Sequence, residues 1–300
     1  MTPTKCLFLS VLLFIPISLI ISSQPTASVN ALADPVIIVA GDITNCSNDR
    51  DAETAKLIDG IAGTVITLGD NAYPDGTAAQ FANCYGPTWG RHKHRTRPAP
   101  GNHDYHVSGA AGYFGYFGSV ASPSEINCKS NCKGYYSYNL GSWHIIVLNS
   151  EVGYQSGSAQ ELWLRKDLAA NKTTCTLAYW HHPRFSSGKH GNNVRSQQFW
   201  NILYKNKADV ILNGHDHIYE RFSRLNPMGQ FDLNGIRQFV VGTGGSKLYP
   251  YSTIKPNSQV RNNTAHGVLK LTLHPTSYEW KFIPIAGQTF TDTGKTACVK

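Results

Sequence analysis

The stretch VIIVAGD at residues 36–42 is a short apolar run, rich in β-branched residues, that ends in a glycine and a carboxylate. Such a run is typical of a buried β-strand. The same arrangement returns in TVITLGD at residues 64–70. In open α/β sheets, ligands bind in the crevice outside the carboxyl ends of the strands. We therefore predict that Asp42 and Asp70 converge at one edge of a sheet.

Further apolar runs extend this pattern along the chain. Besides 36–40 and 64–68, we predict strands at 144–149, 176–180, 209–212, 238–241 and 268–273. Helical patterns fall near 51–61, 158–170 and 195–205, and Ser158 with Glu161 has the spacing of a capping box. Strands and helices alternate in the first two thirds, and strands dominate after residue 238. This order predicts an α/β architecture, largely parallel early and more antiparallel late.

Two later predicted strands end in histidine: 176–180 runs into His181, and 209–212 into GHDH at 214–217. Carboxylate, amide, phenol and imidazole groups without cysteine suit metals such as Zn, Mn and Fe. The candidates outnumber the protein ligands of a single catalytic zinc, which indicates two metals that share a carboxylate. The candidate metal ligands are Asp42, Asp70, Tyr73, Asn102, His181, His215 and His217.

Glycine directly precedes four of these candidates, which allows a sharp turn and a close approach of the backbone to a bound group. Paired metals suit attack at phosphorus, because they generate hydroxide and neutralise charge on the transferring group. The net charge of +8 favours anionic substrates. A phosphoester therefore fits both the candidate site and the charge.

Five motifs carry a family resemblance: GD at 41–42, GDNAY at 69–73, GNHD at 101–104, AYWHHP at 178–183 and GHDH at 214–217. In order and spacing they resemble the motifs of calcineurin-like metallophosphoesterases. The tyrosine three residues after the second aspartate narrows the resemblance to the purple acid phosphatase branch. The resemblance spans residues 36 to about 245 and implies a four-layer α/β/β/α sandwich of two mixed β-sheets flanked by helices, with the site along one edge.

The resemblance also implies roles. Asp42, Tyr73 and His217 would bind Fe(III), Asn102, His181 and His215 would bind a divalent Fe, Zn or Mn, and Asp70 would bridge the two ions. His103 and His190 would contact the substrate and are the expected catalytic residues. His182 neighbours a ligand, but the spacing to proline favours His181. We expect Asp104 and Asp216 to orient histidines, and His92, His94, His106, His144, His266 and His274 to be surface or packing residues.

The first residues are typical of an export signal. An apolar stretch from Cys6 to about Ile21 follows Lys5, and small residues precede Asp34. A membrane anchor is less favoured, because the stretch is short and interrupted by Pro16. We predict a signal peptide at 1–33, a catalytic domain at 34–300 of the small single-domain type without the β-domain of large plant relatives, and a secreted or extracytoplasmic protein.

The chain has seven cysteines, and six remain once Cys6 leaves with the signal. An even number in an exported chain predicts three disulfides. Six cysteines allow about 15 pairings, and the sequence does not choose among them. Cys128 and Cys132 are close enough to close a small loop.

We expect a secreted phosphatase that hydrolyses monoesters of small molecules or nucleotides by direct attack of a metal-bound hydroxide, without a phosphoryl-enzyme. No stable nucleic-acid partner is expected, and no membrane contact after signal cleavage. The alternatives are a phosphodiesterase or nucleotidase of the same fold and, less favoured, a non-catalytic binding protein. The basic segment at 91–97 is either a solvated loop or a region that steers phosphates. Oligomeric state stays open.

Overall fold

The fold is described from a computed structural model that covers residues 1–4, 6–7, 33–48, 50–125 and 127–299. Asp34–Lys300 forms one compact unit. The predicted signal peptide lies almost entirely outside the described residues and stays a prediction. Within the part of the chain that is described, no helix has the length and apolar character needed to span a bilayer.

The regular elements follow one another along the chain with short connections. The α-helices are α1 (Arg50–Asp59), α2 (Ala78–Gln80), α3 (Ala111–Phe117), α4 (Ala159–Ala170) and α5 (Gln197–Lys205). The strands are β1 (Val36–Ala40), β2 (Thr44–Asn45), β3 (Thr64–Leu68), β4 (Ala72–Tyr73), β5 (Thr96–Ala99), β6 (Tyr136–Leu140), β7 (Trp143–Val147), β8 (Cys175–Tyr179), β9 (Val210–Asn213), β10 (Tyr219–Leu225), β11 (Ile236–Val241), β12 (Ser258–Asn262), β13 (Gly267–His274), β14 (Ser277–Pro284) and β15 (Thr293–Ala297).

Most strands form two mixed sheets. The first has the order β15-β14-β13-β1-β3-β5, and the second has the order β12-β10-β11-β9-β8-β7-β6. Pairing is parallel from β1 through β3 to β5, and again among β7, β8, β9 and β11. The flanking pairs are antiparallel. The two predicted kinds of pairing are therefore both present, but they share each sheet and do not separate along the chain.

The two sheets pack face to face. Trp143 of the second sheet contacts Tyr278 of the first with ring centroids 5.8 Å apart, and Phe239 contacts Trp280 at the same distance. Side chains alternate between the two faces of each strand, and on β8 the side chain of Leu177 belongs to this central core. The other face of the second sheet packs against α4 and α5, and α1 covers the first sheet. The predicted four-layer α/β/β/α sandwich is confirmed.

The helix predictions hold with shifted ends. The Ser158 hydroxyl accepts a hydrogen bond from the Glu161 amide at 3.3 Å, and α4 begins at the next residue. The Glu161 carboxylate accepts from the Gly157 amide instead of the Ser158 amide, so only half of the capping box forms. Helix α5 begins two residues late because a short 3-10 turn, Val194–Ser196, precedes it.

The seven strand predictions hold with small shifts of their ends. Strands β1 and β3 match the predicted bounds, and the other five shift by one or two residues. Strand β14 is among those not predicted, since in its sequence, SYEWKFIP, buried positions alternate with partly or fully exposed ones. A strand buried on one side has too few consecutive apolar residues to stand out.

Three disulfides connect the six cysteines, as predicted. The pairs are Cys46–Cys84, Cys128–Cys132 and Cys175–Cys298. The last pair attaches the C-terminal segment to the first residue of β8. The second pair is the small loop that the sequence favoured.

Candidate metal centre

The candidate site forms where the parallel strands of both sheets end. The segments that follow β1 and β3 stay paired, since the Asp42 amide donates to the Gly69 carbonyl at 3.1 Å. Beyond β8 and β9, the Gly214 amide donates to the His181 carbonyl at 3.0 Å. The first sheet therefore delivers Asp42 and Asp70, and the second sheet delivers His181 and the segment that follows Gly214.

Three of the candidate ligands have an unusual backbone conformation. Asp42, Asp70 and His215 lie in the left-handed region, with φ of 58°, 51° and 70°. Positive φ is uncommon outside glycine, and such residues concentrate at functional sites. The turn that ends each strand thus occurs at the ligand itself.

The glycines before the ligands make room for ligands of the neighbouring motifs. Gly69 has a φ of +87°, and a Cβ there would lie 2.6 Å from Nδ1 of His181. A Cβ on Gly214 would lie 2.7 Å from Oδ2 of Asp42. The sequence predicted a close approach to a bound group, and the structure shows close packing of the motifs against one another.

One group of side chains gathers around the hydroxyl of Tyr73. This oxygen lies 2.9 Å from Oδ1 of Asp42, 2.9 Å from Oδ2 of Asp70 and 2.9 Å from Nε2 of His217. His217 Nε2 is also 3.3 Å from Asp42 Oδ1. All four side chains are buried. These are the residues predicted for the first metal, together with the predicted bridge.

A second group shares the Asp70 carboxylate. Its Oδ2 atom lies 3.2 Å from Nε2 of His181, which in turn lies 3.2 Å from Oδ1 of Asn102. One ligand atom from each of Asp70, His181 and His215 falls within 4.8 Å of the others. All seven predicted ligands therefore come together, with Asp70 between the two groups, and their roles as ligands stay predictions.

The histidine tautomers fit a metal site. Nδ1 of His181 lies 2.7 Å from the Leu68 carbonyl, and Nδ1 of His217 lies 2.7 Å from the Lys247 carbonyl. Because a carbonyl only accepts, each Nδ1 donates its proton and leaves the Nε2 lone pair directed at the cluster. Carboxylates, a phenol, an amide and imidazoles suit ions of intermediate hardness, so the donor set fits two such metals.

The proton distribution among these groups is strongly perturbed. Burial alone would raise the pKa of Asp70, but His181 and His103 outweigh it and hold that pKa below its usual value. Burial would lower the pKa of His181, yet the carboxylates of Asp70 and Asp42 raise it to about 10. Burial and the two carboxylates raise the pKa of Tyr73 well above its usual value. Cations that displace these protons would relieve the desolvated charges.

His103 and His190 lie beside the cluster, where the sequence predicted substrate contacts. The His103 amide donates to Oδ1 of Asp70 at 2.8 Å, and its ring lies 4.4 Å from that of Tyr73. The ring of His190 lies 4.3 Å from that of His215, and its side chain is exposed. Both are placed to meet a substrate, and their catalytic roles stay predictions.

The prediction that Asp104 and Asp216 orient histidine rings is wrong. Asp104 accepts from the Gly101 amide at 2.9 Å and from Nδ2 of Asn71 at 2.9 Å. Asp216 accepts from the backbone amide of His190 at 2.8 Å. Both carboxylates hold the loops that carry the motifs, whereas main-chain carbonyls orient the rings.

Sequence reasoning missed three side chains near the site. The Tyr249 ring is stacked on that of His217, with centroids 4.0 Å apart and planes at 12°. Oε1 of Glu151 lies 2.9 Å from Nδ1 of His182. His106, expected to be a surface or packing residue, lies 4.5 Å from His103 ring to ring. Tyr249 and Glu151 belong to none of the five motifs, so the sequence carries no signal for their position at the site. For His106 the only such signal is its place three residues after His103.

The basic segment lies away from the cluster. Arg91 forms an ion pair with Asp59 at 2.8 Å, and Arg95 donates to the carbonyl of Gly63 at 2.8 Å. The segment Trp89–Arg95 precedes β5, whereas Asn102 follows that strand. These contacts favour the structural interpretation over phosphate steering.

Comparison with known proteins identifies relatives that agree with this site geometry. Residues 33–219 match the calcineurin-like phosphoesterase family. Purple acid phosphatase 15 of Arabidopsis thaliana is 27% identical over 241 residues, which cover 70% of this chain and 45% of the relative. Purple acid phosphatase 23 of the same plant is 25% identical, over 75% of this chain and 50% of its own length. The chain thus spans about half the length of these curated relatives.

Solved structures share the fold at low identity. A purple acid phosphatase, PPD1, from yellow lupin (Lupinus luteus) seeds superimposes with a TM-score of 0.68 at 18% identity, covering 88% of this chain and 54% of the other. GAP50, the anchor in the inner membrane complex of Plasmodium, gives 0.70 at 14% identity and covers 90% of both chains. The resemblance drawn from the five motifs is confirmed, and the chain belongs to the calcineurin-like phosphoesterase family.

Proposed function

We propose that this protein is a metal-dependent phosphatase that hydrolyses phosphate monoesters. The observation that carries the proposal is the position of the Asp70 carboxylate between two ligand groups, 2.9 Å from the Tyr73 hydroxyl and 3.2 Å from Nε2 of His181. A carboxylate placed between two ligand groups suits a pair of metals. The purple acid phosphatases among the relatives support the same activity.

The donor types at the site support an assignment of the two metals. Asp42, Tyr73 and His217 would hold a trivalent iron, because a phenolate and a carboxylate are hard anionic donors. Asn102, His181 and His215 would hold a divalent Fe, Zn or Mn. When bound, such a pair supplies an activated water and neutralises charge on the phosphoryl group.

The chain's own side chains would position the substrate. Nδ1 of His103 lies 2.5 Å from the Pro74 carbonyl, so it donates there and turns Nε2 towards the cluster. His190 borders the cluster from the second sheet, with its backbone amide tied to Asp216 at 2.8 Å. A phosphate ester between these two imidazoles would receive hydrogen bonds from opposite sides.

Export is part of the proposal. Three disulfides are typical of oxidising compartments, and they support a secreted or extracytoplasmic location. Substrates would then be phosphorylated small molecules or nucleotides met outside the cytoplasm.

The deciding experiment measures turnover of 4-nitrophenyl phosphate and bis(4-nitrophenyl) phosphate from acidic to alkaline pH, with protein purified with its native metals. Monoester turnover that exceeds diester turnover supports the proposal. A diester preference assigns the phosphodiesterase alternative, and no turnover of either ester with two metals bound contradicts the proposal.

A first prediction separates an enzyme from a binding protein with this fold. Asp70→Ala removes the carboxylate shared by both ligand groups, so we expect loss of bound metal and at least a hundredfold loss of turnover. Elemental analysis and the monoester assay measure the two effects. Asp167→Ala, distant in the fold and bonded to His144, is the control that should retain both. Full turnover by the Asp70 variant would contradict the assignment.

A further inference from the structure

The loop after β8, which borders the candidate site, is held in place by buried carboxylates. The Ser187 amide donates to Oε2 of Glu220 at 2.8 Å, and the His190 amide donates to Oδ1 of Asp216 at 2.8 Å. The Ser252 amide donates to the Ser187 carbonyl at 2.9 Å, which joins the loop after β11 to the loop after β8. The backbone on both sides of Lys189 is therefore anchored.

The side chain of Lys189 is held by an aromatic ring. Its ammonium lies 5.0 Å from the centroid of the Tyr249 ring, which is within the range of a cation–π contact. The same ring is stacked on His217 and lies 5.8 Å from His190. One phenol ring thus connects the ammonium to a candidate metal ligand and to a candidate substrate-binding histidine.

Among the described residues, no carboxylate lies within ion-pair distance of Lys189 or of Lys247, and both side chains are exposed. Lys247 belongs to the same loop as Tyr249, and its carbonyl accepts from His217 at 2.7 Å. The border of the site therefore offers positive charge in addition to that of the metal ions.

We infer that Lys189, positioned by Tyr249, is a specificity residue that favours substrates carrying a second anionic group beside the scissile phosphate, and pyrophosphate is the probe for this role. This inference rests on the proposed phosphatase function. The scissile phosphoryl group would occupy the cluster, and the neighbouring phosphoryl group would meet the ammonium. Water adds to one phosphorus, the bridging P–O bond breaks, and two phosphates result.

The contact predicts selectivity more than a general gain in rate. A neutral nitrophenyl leaving group offers nothing to the ammonium, whereas a phosphate leaving group offers up to two charges. A single charge-assisted contact that is absent for the competing substrate discriminates by about tenfold or more. Replacing Lys189 should therefore change the ratio of the two specificity constants.

The test compares kcat/KM for pyrophosphate and for 4-nitrophenyl phosphate in wild type, Lys189→Met, Lys189→Arg and Lys166→Met. We expect Lys189→Met to lower the ratio of kcat/KM for pyrophosphate to kcat/KM for the monoester by about tenfold. Lys189→Arg should retain most of this ratio. Lys166→Met, at an exposed position of α4, should leave it unchanged. A second pair tests positioning: Tyr249→Phe keeps the ring and should keep the ratio, and Tyr249→Leu should lower it at equal metal content. An unchanged ratio in Lys189→Met overturns the inference.

A binding measurement separates this inference from the proposed function. Isothermal titration of metal-loaded protein with methylenediphosphonate, which is not hydrolysed, and with inorganic phosphate needs no turnover. We expect Lys189→Met to weaken the diphosphonate about tenfold and phosphate less than about threefold. If neither ester nor pyrophosphate is turned over, the phosphatase proposal fails, and this titration alone decides the inference. Equal weakening of both ligands overturns it.

Discussion

Tyr73 illustrates how much a single side chain contributes at the site. Its hydroxyl has three polar neighbours at 2.9 Å, and its pKa is raised by burial and by the carboxylates of Asp42 and Asp70. Without a cation, the phenol therefore keeps its proton. A trivalent ion in this position would take the phenolate as a ligand and release the proton.

The prediction at this scale concerns colour. Tyr73→Phe removes the phenol oxygen and keeps the ring, so we expect the visible absorption from phenolate-to-iron charge transfer to disappear while the fold persists. Absorbance spectra with elemental analysis measure this, and Tyr154→Phe, whose hydroxyl accepts from Arg195 away from the cluster, is the matched control. An unchanged visible band in Tyr73→Phe at full iron content would refute the assignment of Tyr73.

At the scale of elements, helix α3 packs against the turn that follows the second aspartate motif. A Cβ on Gly112 would lie 1.9 Å from the carbonyl oxygen of Gly76, whereas a Cβ on Gly115, in the same helix, would meet nothing within 4 Å. The two glycines thus lie in the same helix but on faces with opposite requirements. Gly112 permits the close contact with the turn, whereas Gly115 only weakens the helix.

This contrast makes a paired prediction. Gly112→Ala should destabilise the fold by about 2–3 kcal/mol, because backbone cannot yield to the added methyl group. Gly115→Ala should stabilise it by up to about 1 kcal/mol, because alanine loses less entropy in a helix. Urea unfolding of metal-free protein measures both changes. Similar effects of the two substitutions would show that the packing of α3 is not as described.

Disulfides also act at the scale of elements, and their spans differ widely. Cys175–Cys298 closes a sequence separation of 123 residues, and Cys128–Cys132 closes one of 4. Replacing both cysteines of the long-range pair by alanine should cost about 3–4 kcal/mol of unfolding free energy, and the same change in the short pair should cost less. Denaturant titrations of the two double variants test this order. A larger loss from the short pair would contradict it.

At the scale of the whole molecule, Asp209 links the C-terminus to the start of β8. Its Oδ2 accepts from the Thr176 amide at 2.8 Å, and its Oδ1 accepts from the Val299 amide. Burial, opposed by these amides and weakly by Arg224, raises the pKa of Asp209 from 3.8 to about 7. The folded state therefore retains a proton that the unfolded state releases near pH 3.8.

The sign of the pH dependence follows from this shift. The raised pKa stabilises the fold at pH below 3.8, and that contribution is lost as the pH rises towards 7. Relative to Asp209→Asn, which does not titrate, wild type should lose about 1.4 kcal/mol per pH unit between pH 5 and 6, and the difference should level off above pH 8. Urea unfolding of both proteins at pH 5, 6, 7 and 8 measures this. A constant difference would contradict the shift.

The sequence by itself determined the residue types at the site and the elements that carry them. Strands β1 and β3 are continuous apolar runs, so local pattern alone sets their bounds, and each delivers its aspartate directly. Five ordered motifs identified the family because metal ligation restricts residue types at set positions. The even number of cysteines likewise indicated disulfides without any knowledge of the fold.

Only the tertiary structure decided which distant segments meet. Nothing local to Tyr249 or Lys189 indicates that they contact one another beside His217, and nothing local to Asp104 or Asp216 indicates that each holds a backbone loop. The pairing Cys175–Cys298 is equally non-local. Such contacts depend on the order of strands in two packed sheets, because that order alone sets which loops share an edge.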